Sequence, residues 1–158
     1  MNKGKVYIVG AGPGDPGLLT INGLASLKSA DVILYDRLVD ESVLDFVSPN
    51  TELIYVGKLP GYKENPQTEI NRLLVSKAKQ GKVVVRLKGG DPFIYGRGAE
   101  EANILNSEGI PFEIIPGVSS VIGVPAYAGI PLTHRGVSSS FTVISGRESS
   151  CNTESNID

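Results

Sequence analysis

Short apolar runs rich in β-branched residues alternate along the chain with longer stretches in which apolar residues recur every three or four positions. The short runs predict six strands, at residues 5–9, 31–35, 52–56, 82–87, 112–115 and 141–145. The longer stretches predict helices at residues 18–29, 68–80 and 99–108. Gly81 and Gly109 stand just past the second and third of these helices, where glycine commonly ends a helix.

This order of elements predicts the fold class and the domain organisation. Strands that are apolar throughout and separated by helices are typical of a parallel sheet covered on both faces, so we expect an α/β fold. Residues 1–115 are predicted to form an N-terminal α/β domain, and residues 116–137 a connection. Residues 138–158 are predicted to hold the first strand of a truncated second domain and a polar tail, because the sequence shows no partner for the strand at 141–145.

The loops that follow the predicted strands combine glycine, charged and hydroxyl residues. Loops at the carboxyl ends of parallel strands meet at one edge of the sheet and form its ligand site. We number them loop 1 (residues 10–17), loop 2 (36–38), loop 3 (57–63), loop 4 (88–98) and loop 5 (116–120). The sequence therefore predicts one ligand site lined by several loops.

Loop 1 leaves a dinucleotide site as one alternative. It can be aligned with the pattern G-x-G-x-x-G at Gly12, Gly14 and Gly17. Asp36 follows 19 residues later, where such folds place a ribose-binding acid. However, Pro13 and Pro16 lack the N–H groups that a pyrophosphate requires, and Asp15 adds a negative charge. Loop 1 therefore favours a ligand without phosphates over NAD.

Loop 4 is the second candidate binding element. Gly89 and Gly90 would let a ligand approach the main chain closely, and the Asp91 carboxylate could accept hydrogen bonds from ribose hydroxyls or an amine. The structural alternative is a tight turn in which Asp91 caps the following helix.

The net charge, the cysteine and histidine counts and the lengths of the apolar runs exclude several classes of protein. The net charge of −2 excludes a nucleic-acid binder that relies on overall positive charge. With one cysteine and one histidine, the chain has no intrachain disulfide and no Cys- or His-cluster metal site. It has no apolar run long enough to span a membrane, and its N-terminus enters a strand without a signal peptide, so we expect the cytoplasm.

Four blocks of sequence resemble one known family. They are VGAGPGDPGLLT at 9–20, RLKGGDPFIYGRGAEE at 86–101, PGVSS at 116–120 and GIPLTHR at 129–135. In order and spacing they are similar to the tetrapyrrole methylases, and the resemblance covers about residues 4–146. It implies two α/β domains with S-adenosylmethionine in the cleft between them, and a homodimer.

The resemblance also implies an activity, namely C-methylation of uroporphyrinogen III at two ring carbons to give precorrin-2, in sirohaem or cobalamin biosynthesis. Two alternatives stay open. The protein could be a methylase that acts later on the corrin ring, or a catalytically incomplete fragment that binds the cofactor or supports dimerisation.

Residue roles follow from the same resemblance. It implies cofactor contacts for Pro13, Gly89, Gly90, Asp91, Ile94, Ser119 and Ser120. It matches Asp36 to the family's proton acceptor and Lys58 to its proton donor. The structural alternatives are helix capping for the two serines, and a surface salt bridge or simple loop polarity for Asp36 and Lys58.

A substrate rich in carboxylates requires cations at the site. The candidate loops and the segment after them supply Arg37, Lys58, Lys63, Lys88, Arg97 and Arg135. We predict that Arg37 and Arg97 bind the substrate, since arginine suits paired contacts with carboxylate oxygens. For Arg97, an ion pair with Glu100 or Glu101 is the alternative.

Overall fold

The computed structural model describes residues 4–57 and 66–146. Its strands are β1 Lys5–Gly10, β2 Val32–Tyr35, β3 Glu52–Tyr55, β4 Val83–Lys88 and β5 Phe112–Ile115. They pair in parallel, in the order β3-β2-β4-β1-β5. Its α-helices are α1 Ile21–Ser29, α2 Pro66–Lys79, α3 Gly98–Ser107 and α4 Ser120–Tyr127. The predicted α/β fold with a parallel sheet is confirmed.

Apolar side chains cover both faces of the sheet. On one face, Leu74 of α2 and Leu105 of α3 pack with Val84 of β4, and all three are fully buried. On the other face, Leu27 of α1 packs with Val85 of the same strand. Because successive residues of a strand point to opposite faces, β4 alternates between the two clusters, and its loop emerges at the edge between them.

Local signals set the helix ends. The Thr20 hydroxyl accepts the N–H of Gly23 at 3.0 Å and caps α1. Gly81 and Gly109 have φ of +82° and +60°, the left-handed conformation that ends a helix, as their positions predict.

The structure differs from the sequence-based prediction in four elements, one of which is an unpredicted 3-10 helix at Glu41–Phe46 that Asp40 caps. Residues 16–18 form a short 3-10 turn before α1, because Asp15 caps a separate turn there. Helix α4 was not predicted, since its sequence SVIGVPAY is apolar throughout and contains Pro125. The strand predicted at 141–145 is wrong for the part of the chain described, because no described strand pairs with it. The predicted domain boundaries stay a prediction.

A helix that crosses a membrane must be long and apolar. Within residues 4–57 and 66–146, no helix has the length and apolar character needed to cross a bilayer.

Candidate functional site

Loops 1, 4 and 5 are fastened to one another at the carboxyl edge of the sheet. The N–H of Gly90 donates to the Gly12 carbonyl at 2.7 Å, and the N–H of Gly12 donates to the Gly90 carbonyl at 3.3 Å. The Asp91 carboxylate accepts the N–H of Gly117 at 3.0 Å through Oδ2. These bonds join loop 4 to both of its neighbours, so the three loops form one surface.

Two kinds of glycine build this surface. Gly10 and Gly117 permit close main-chain packing, because a Cβ on Gly117 would collide with the Gly90 carbonyl and lie 2.7 Å from the Gly10 Cα. Gly90 is different. It has φ of +64°, and a Cβ there would meet nothing closer than the Ser119 Cα at 3.9 Å. The space beside Gly90 is therefore open and is bounded by Ser119.

The residues predicted to bind the cofactor also have structural contacts. Ser119 is buried and caps α4, its Oγ accepting the N–H of Val121 at 3.3 Å. Ser120 is the exposed first residue of that helix. Asp91 does not cap α3, whose N-cap residue is Arg97. Instead, Asp91 Oδ1 accepts the N–H of Phe93 at 2.8 Å, which is the tight turn of the structural alternative.

Loop 1 packs against α4. The ring of Pro13 lies so close to Gly123 that a Cβ on that glycine would be 3.0 Å from the Pro13 Cγ. Nearby, the Tyr127 hydroxyl donates to Asp15 Oδ2 at 2.6 Å. This hydrogen bond and the one from the N–H of Gly17 lower the pKa of Asp15.

Ile94 of loop 4 faces an apolar cavity. The side chain is 45% exposed. The cavity has a volume of about 480 Å³, and its lining residues include Ile94, Tyr95, Gly117, Ser119, Ile122 and Phe141. Its walls suit a flat apolar group placed beside the polar main chain of loops 4 and 5.

The charges of loops 1, 4 and 5 do not suit a phosphate. Their two cations are both engaged: Lys88 donates to the buried Glu101 at 3.0 Å, and Arg97 binds Glu100 with distances of 2.7 and 2.8 Å. The carboxylates of Asp15 and Asp91 lie on the same loops. A pyrophosphate would meet negative charge here, which argues against the dinucleotide alternative.

Asp36 directly follows β2 and lies beside a separate cleft. Its Oδ2 accepts the Arg86 Nη2 at 2.6 Å, and its Oδ1 accepts the N–H of Leu38 at 3.0 Å. The side chain is 22% exposed. The cleft has a volume of about 630 Å³, and Tyr35, Asp36, Arg37, Leu38 and Tyr55 are among its lining residues. Because the Arg86 side chain is only 3% exposed, this ion pair is not the surface salt bridge of the structural alternative.

The two predicted substrate-binding arginines differ in their surroundings. Arg37 is exposed, lines the cleft with Asp36 and forms no ion pair within the described residues. Arg97 forms an ion pair with Glu100, which is the alternative predicted for it, and it does not line this cleft. Lys58, the predicted proton donor, and Lys63 lie outside the described residues.

Two buried charged residues of the site had no predicted functional role. Arg86 of β4 and Glu101 of α3 are 2% and 0% exposed, and the Arg86 Nε donates to Glu101 Oε1 at 3.1 Å. Lys88 shares this carboxylate; burial, with the nearby charge of Arg86, lowers the pKa of that lysine. A signal for these residues exists in the sequence: Arg86 interrupts an apolar strand, and Glu101 falls on the buried stripe of α3.

Known proteins match this chain over nearly its whole length. The family described as Tetrapyrrole (Corrin/Porphyrin) Methylases matches residues 5–156. A uroporphyrinogen-III C-methyltransferase of Methanocaldococcus jannaschii is 55% identical over 155 residues, which are 98% of this chain and 64% of that protein. One of Bacillus subtilis is 59% identical over 143 residues, 90% of this chain and 56% of that protein. The chain thus spans about three-fifths of the length of these curated relatives.

Solved structures agree in fold. A uroporphyrin-III-C-methyltransferase from Thermus thermophilus superimposes with a TM-score of 0.75 at 49% identity, covering 84% of this chain and 56% of that one. A structure of the Thermus enzyme complexed with S-adenosylhomocysteine gives 0.69 at 51% identity, covering 84% and 51%. A cobalt precorrin-4 methyltransferase gives 0.72 at 39% identity, covering 82% and 52%.

Proposed function

The chain belongs to the tetrapyrrole methylase family, and from that premise we propose that it carries the cofactor loops and the base of an S-adenosylmethionine-dependent C-methyltransferase. We propose uroporphyrinogen III as the methyl acceptor and precorrin-2 as the product. One observation carries the proposal: loops 1, 4 and 5 form a joined surface without a free cation among their described residues, and Asp36 lines a cleft at the same sheet edge.

The loop surface fits S-adenosylmethionine better than a dinucleotide. The cofactor has a sulfonium, an amino-acid group, ribose hydroxyls and an adenine, and it has no phosphate. The open space beside Gly90, the Asp91 carboxylate and the apolar cavity at Ile94 offer a matching set of partners. Each Asp91 oxygen accepts one N–H and can accept a second hydrogen bond. We propose cofactor contacts at Pro13, Gly89, Gly90, Asp91, Ile94, Ser119 and Ser120.

Asp36 is proposed to accept the proton that the macrocycle loses. When bound, the cofactor supplies an electrophilic methyl group. The acceptor carbon must lie in line with that group, and a ring proton must leave as the new bond forms. The bonds from Arg86 and Leu38 fix the Asp36 carboxylate at the rim of the cleft while leaving it 22% exposed to a ligand. The proton donor proposed by resemblance is Lys58.

Arg37 and Arg97 are proposed to bind substrate carboxylates. The exposed guanidinium of Arg37, in the same cleft as Asp36, can form a bidentate pair with a carboxylate. Arg97 would first have to leave Glu100, and an exposed pair of this kind is worth at most about 1 kcal/mol. The edge-to-face pair of Tyr35 and Tyr55, with ring centroids 5.6 Å apart, gives the cleft an apolar wall.

The assembly and the location are also proposals. Large exposed apolar side chains concentrate near α4 and after it, at Ile122, Val124, Tyr127, Ile130, Val137 and Ile144. Apolar surface of this kind is typical of protein contacts, which supports the predicted homodimer. A cytoplasmic location, with no nucleic-acid or membrane partner, is proposed on composition alone.

Identity favours the first methylation step over a later one. The relatives and structures with uroporphyrinogen or uroporphyrin in their names are 49–59% identical to this chain, whereas the cobalt precorrin-4 methyltransferase is 39% identical. A methylase acting on a later corrin is therefore the second candidate.

Methyl transfer from labelled cofactor tests the proposal. The protein is incubated with S-adenosylmethionine carrying a ¹³C methyl group and with reduced uroporphyrinogen III, and the product is analysed by mass spectrometry and NMR. We expect two labelled methyl groups on ring carbons. Label in an added cobalt precorrin but not in uroporphyrinogen would favour the later methylase. The absence of label in every tetrapyrrole offered would contradict the proposed activity.

A further inference from the structure

Arg86, Lys88 and Glu101 form a buried charge cluster, and Arg86 links it to the partly exposed Asp36 of the cleft. Arg86 and Lys88 lie two residues apart on β4, so both face the helix layer that contains α3. Glu101 Oε1 accepts three hydrogen bonds, from Lys88 Nζ at 3.0 Å, from Arg86 Nε at 3.1 Å and from Gln67 Nε2 at 3.2 Å. The single carboxylate oxygen thus holds two cations together.

Glu101 occupies a position that packing alone would give to an apolar residue. It is fully buried and shares the inner face of α3 with Ala102 and Leu105. Its Oε2 has no hydrogen-bond partner in the part of the chain described. Burying a carboxylate with an unused oxygen costs free energy, and apolar side chains often stabilise such positions better. A gain in stability therefore does not explain why a glutamate occupies this buried position.

The Arg86 guanidinium connects Glu101 to Asp36. Its Nε faces Glu101, its Nη1 donates to the Leu87 carbonyl at 2.8 Å, and its Nη2 donates to Asp36 at 2.6 Å. Because the guanidinium is planar and rigid, an anchor on Nε determines the direction of Nη2. Glu101, with the main-chain carbonyls of Leu87 and Leu34 that accept from Nη1, thereby determines where Arg86 points. Arg86 in turn holds the Asp36 carboxylate.

We infer that Glu101 is a positioning residue that fixes Arg86 and, through it, the Asp36 carboxylate at the rim of the cleft. This inference rests on the proposed role of Asp36. Without the charge of Glu101, Arg86 and Lys88 are left as buried like charges, and a neutral acceptor at this position holds the Arg86 Nε–H less strongly than the carboxylate does. Asp36 then has a less well-defined direction toward the ring proton.

The test uses Glu101→Gln in the full-length protein. This substitution keeps the size of the side chain and removes its charge. Glu108→Gln is the matched control, since Glu108 follows α3 and pairs with Lys79 at the surface. Backbone amide NMR spectra check that both variants fold. Should Glu101→Gln not fold, Glu101→Asp is measured in its place, because it keeps the charge but withdraws it by one methylene.

The first readout needs no activity. The Arg86 Nε–H, assigned by its loss in Arg86→Lys, is expected to give a sharp, slowly exchanging ¹⁵N NMR signal in the unsubstituted protein and in Glu108→Gln. In Glu101→Gln we expect this signal to broaden or disappear. An unchanged signal in Glu101→Gln would overturn the inference.

The second readout is kinetic. Glu101→Gln is expected to lower kcat by about tenfold to a hundredfold with the KM for S-adenosylmethionine unchanged. In an Asp36→Asn background it should cause no further loss, because it acts through Asp36. If Glu101→Gln lowered kcat by the same factor in the Asp36→Asn background as in the unsubstituted protein, its role would be purely structural, and the inference would be overturned. If the unsubstituted protein methylates no tetrapyrrole, the proposed function fails, and the NMR readout alone decides the positioning.

Discussion

Asp36→Asn is expected to lower kcat for methyl transfer by about a hundredfold or more while the KM for S-adenosylmethionine changes little. Asparagine keeps the size of the side chain and its carbonyl can still accept the N–H of Leu38. It cannot take up a proton at neutral pH, however, so the macrocycle would have to lose its proton to water. Initial rates with each substrate varied in turn measure the two constants separately.

Asp45→Asn is the matched control for this prediction. Asp45 is exposed and lies outside the lining of the cleft, so its substitution removes the same charge without touching the site. We expect its kcat to equal that of the unsubstituted protein. A loss in Asp36→Asn confined to KM would contradict the role of proton acceptor and indicate a role in binding.

Gly117→Ala is expected to destabilise the protein by about 2–3 kcal/mol and to abolish binding of S-adenosylhomocysteine. The added methyl group would collide with the Gly90 carbonyl and crowd the Gly10 Cα, which are main-chain atoms that cannot move aside as a side chain can. Loop 5 must then separate from loops 1 and 4. Urea unfolding measures the free energy, and calorimetry measures binding.

Gly146→Ala serves as the control for the glycine substitution. A Cβ on Gly146 meets no atom within 4 Å, and its φ is not left-handed, so we expect a change within about 0.5 kcal/mol and unchanged binding. If Gly117→Ala bound S-adenosylhomocysteine with normal affinity, close contact between the three loops would not be required for the cofactor site.

The sequence could predict the sheet because each of its strands is a short run of mainly apolar residues, many of them β-branched. The prediction for 82–87 became β4 Val83–Lys88, and the prediction for 112–115 became β5 with the same bounds. Helix α4 could not be predicted in this way, because an apolar surface on all sides has no period, and Pro125 further argues against a helix. The run at 141–145 shows the opposite error, since an apolar run forms a strand only beside a partner.

The site could be predicted only in part, for a related reason. Loops at the carboxyl ends of strands meet at one edge, so the sequence could bring loops 1, 4 and 5 together. The contacts of Arg86 could not be foreseen, because Asp36 lies 50 positions away and Glu101 lies 15 positions away. Sequence could not decide whether Ser119 caps a helix or binds a ligand. In the structure its oxygen accepts the capping bond, and its O–H can still donate to a ligand.

The most direct test of the account is a calorimetric titration of the protein with S-adenosylhomocysteine, with NADH as the second ligand. The loop surface, with two carboxylates and no free cation among its described residues, predicts saturable binding of S-adenosylhomocysteine and no heat from NADH. Binding of NADH without binding of S-adenosylhomocysteine would contradict the account and support the interpretation of loop 1 as a dinucleotide site.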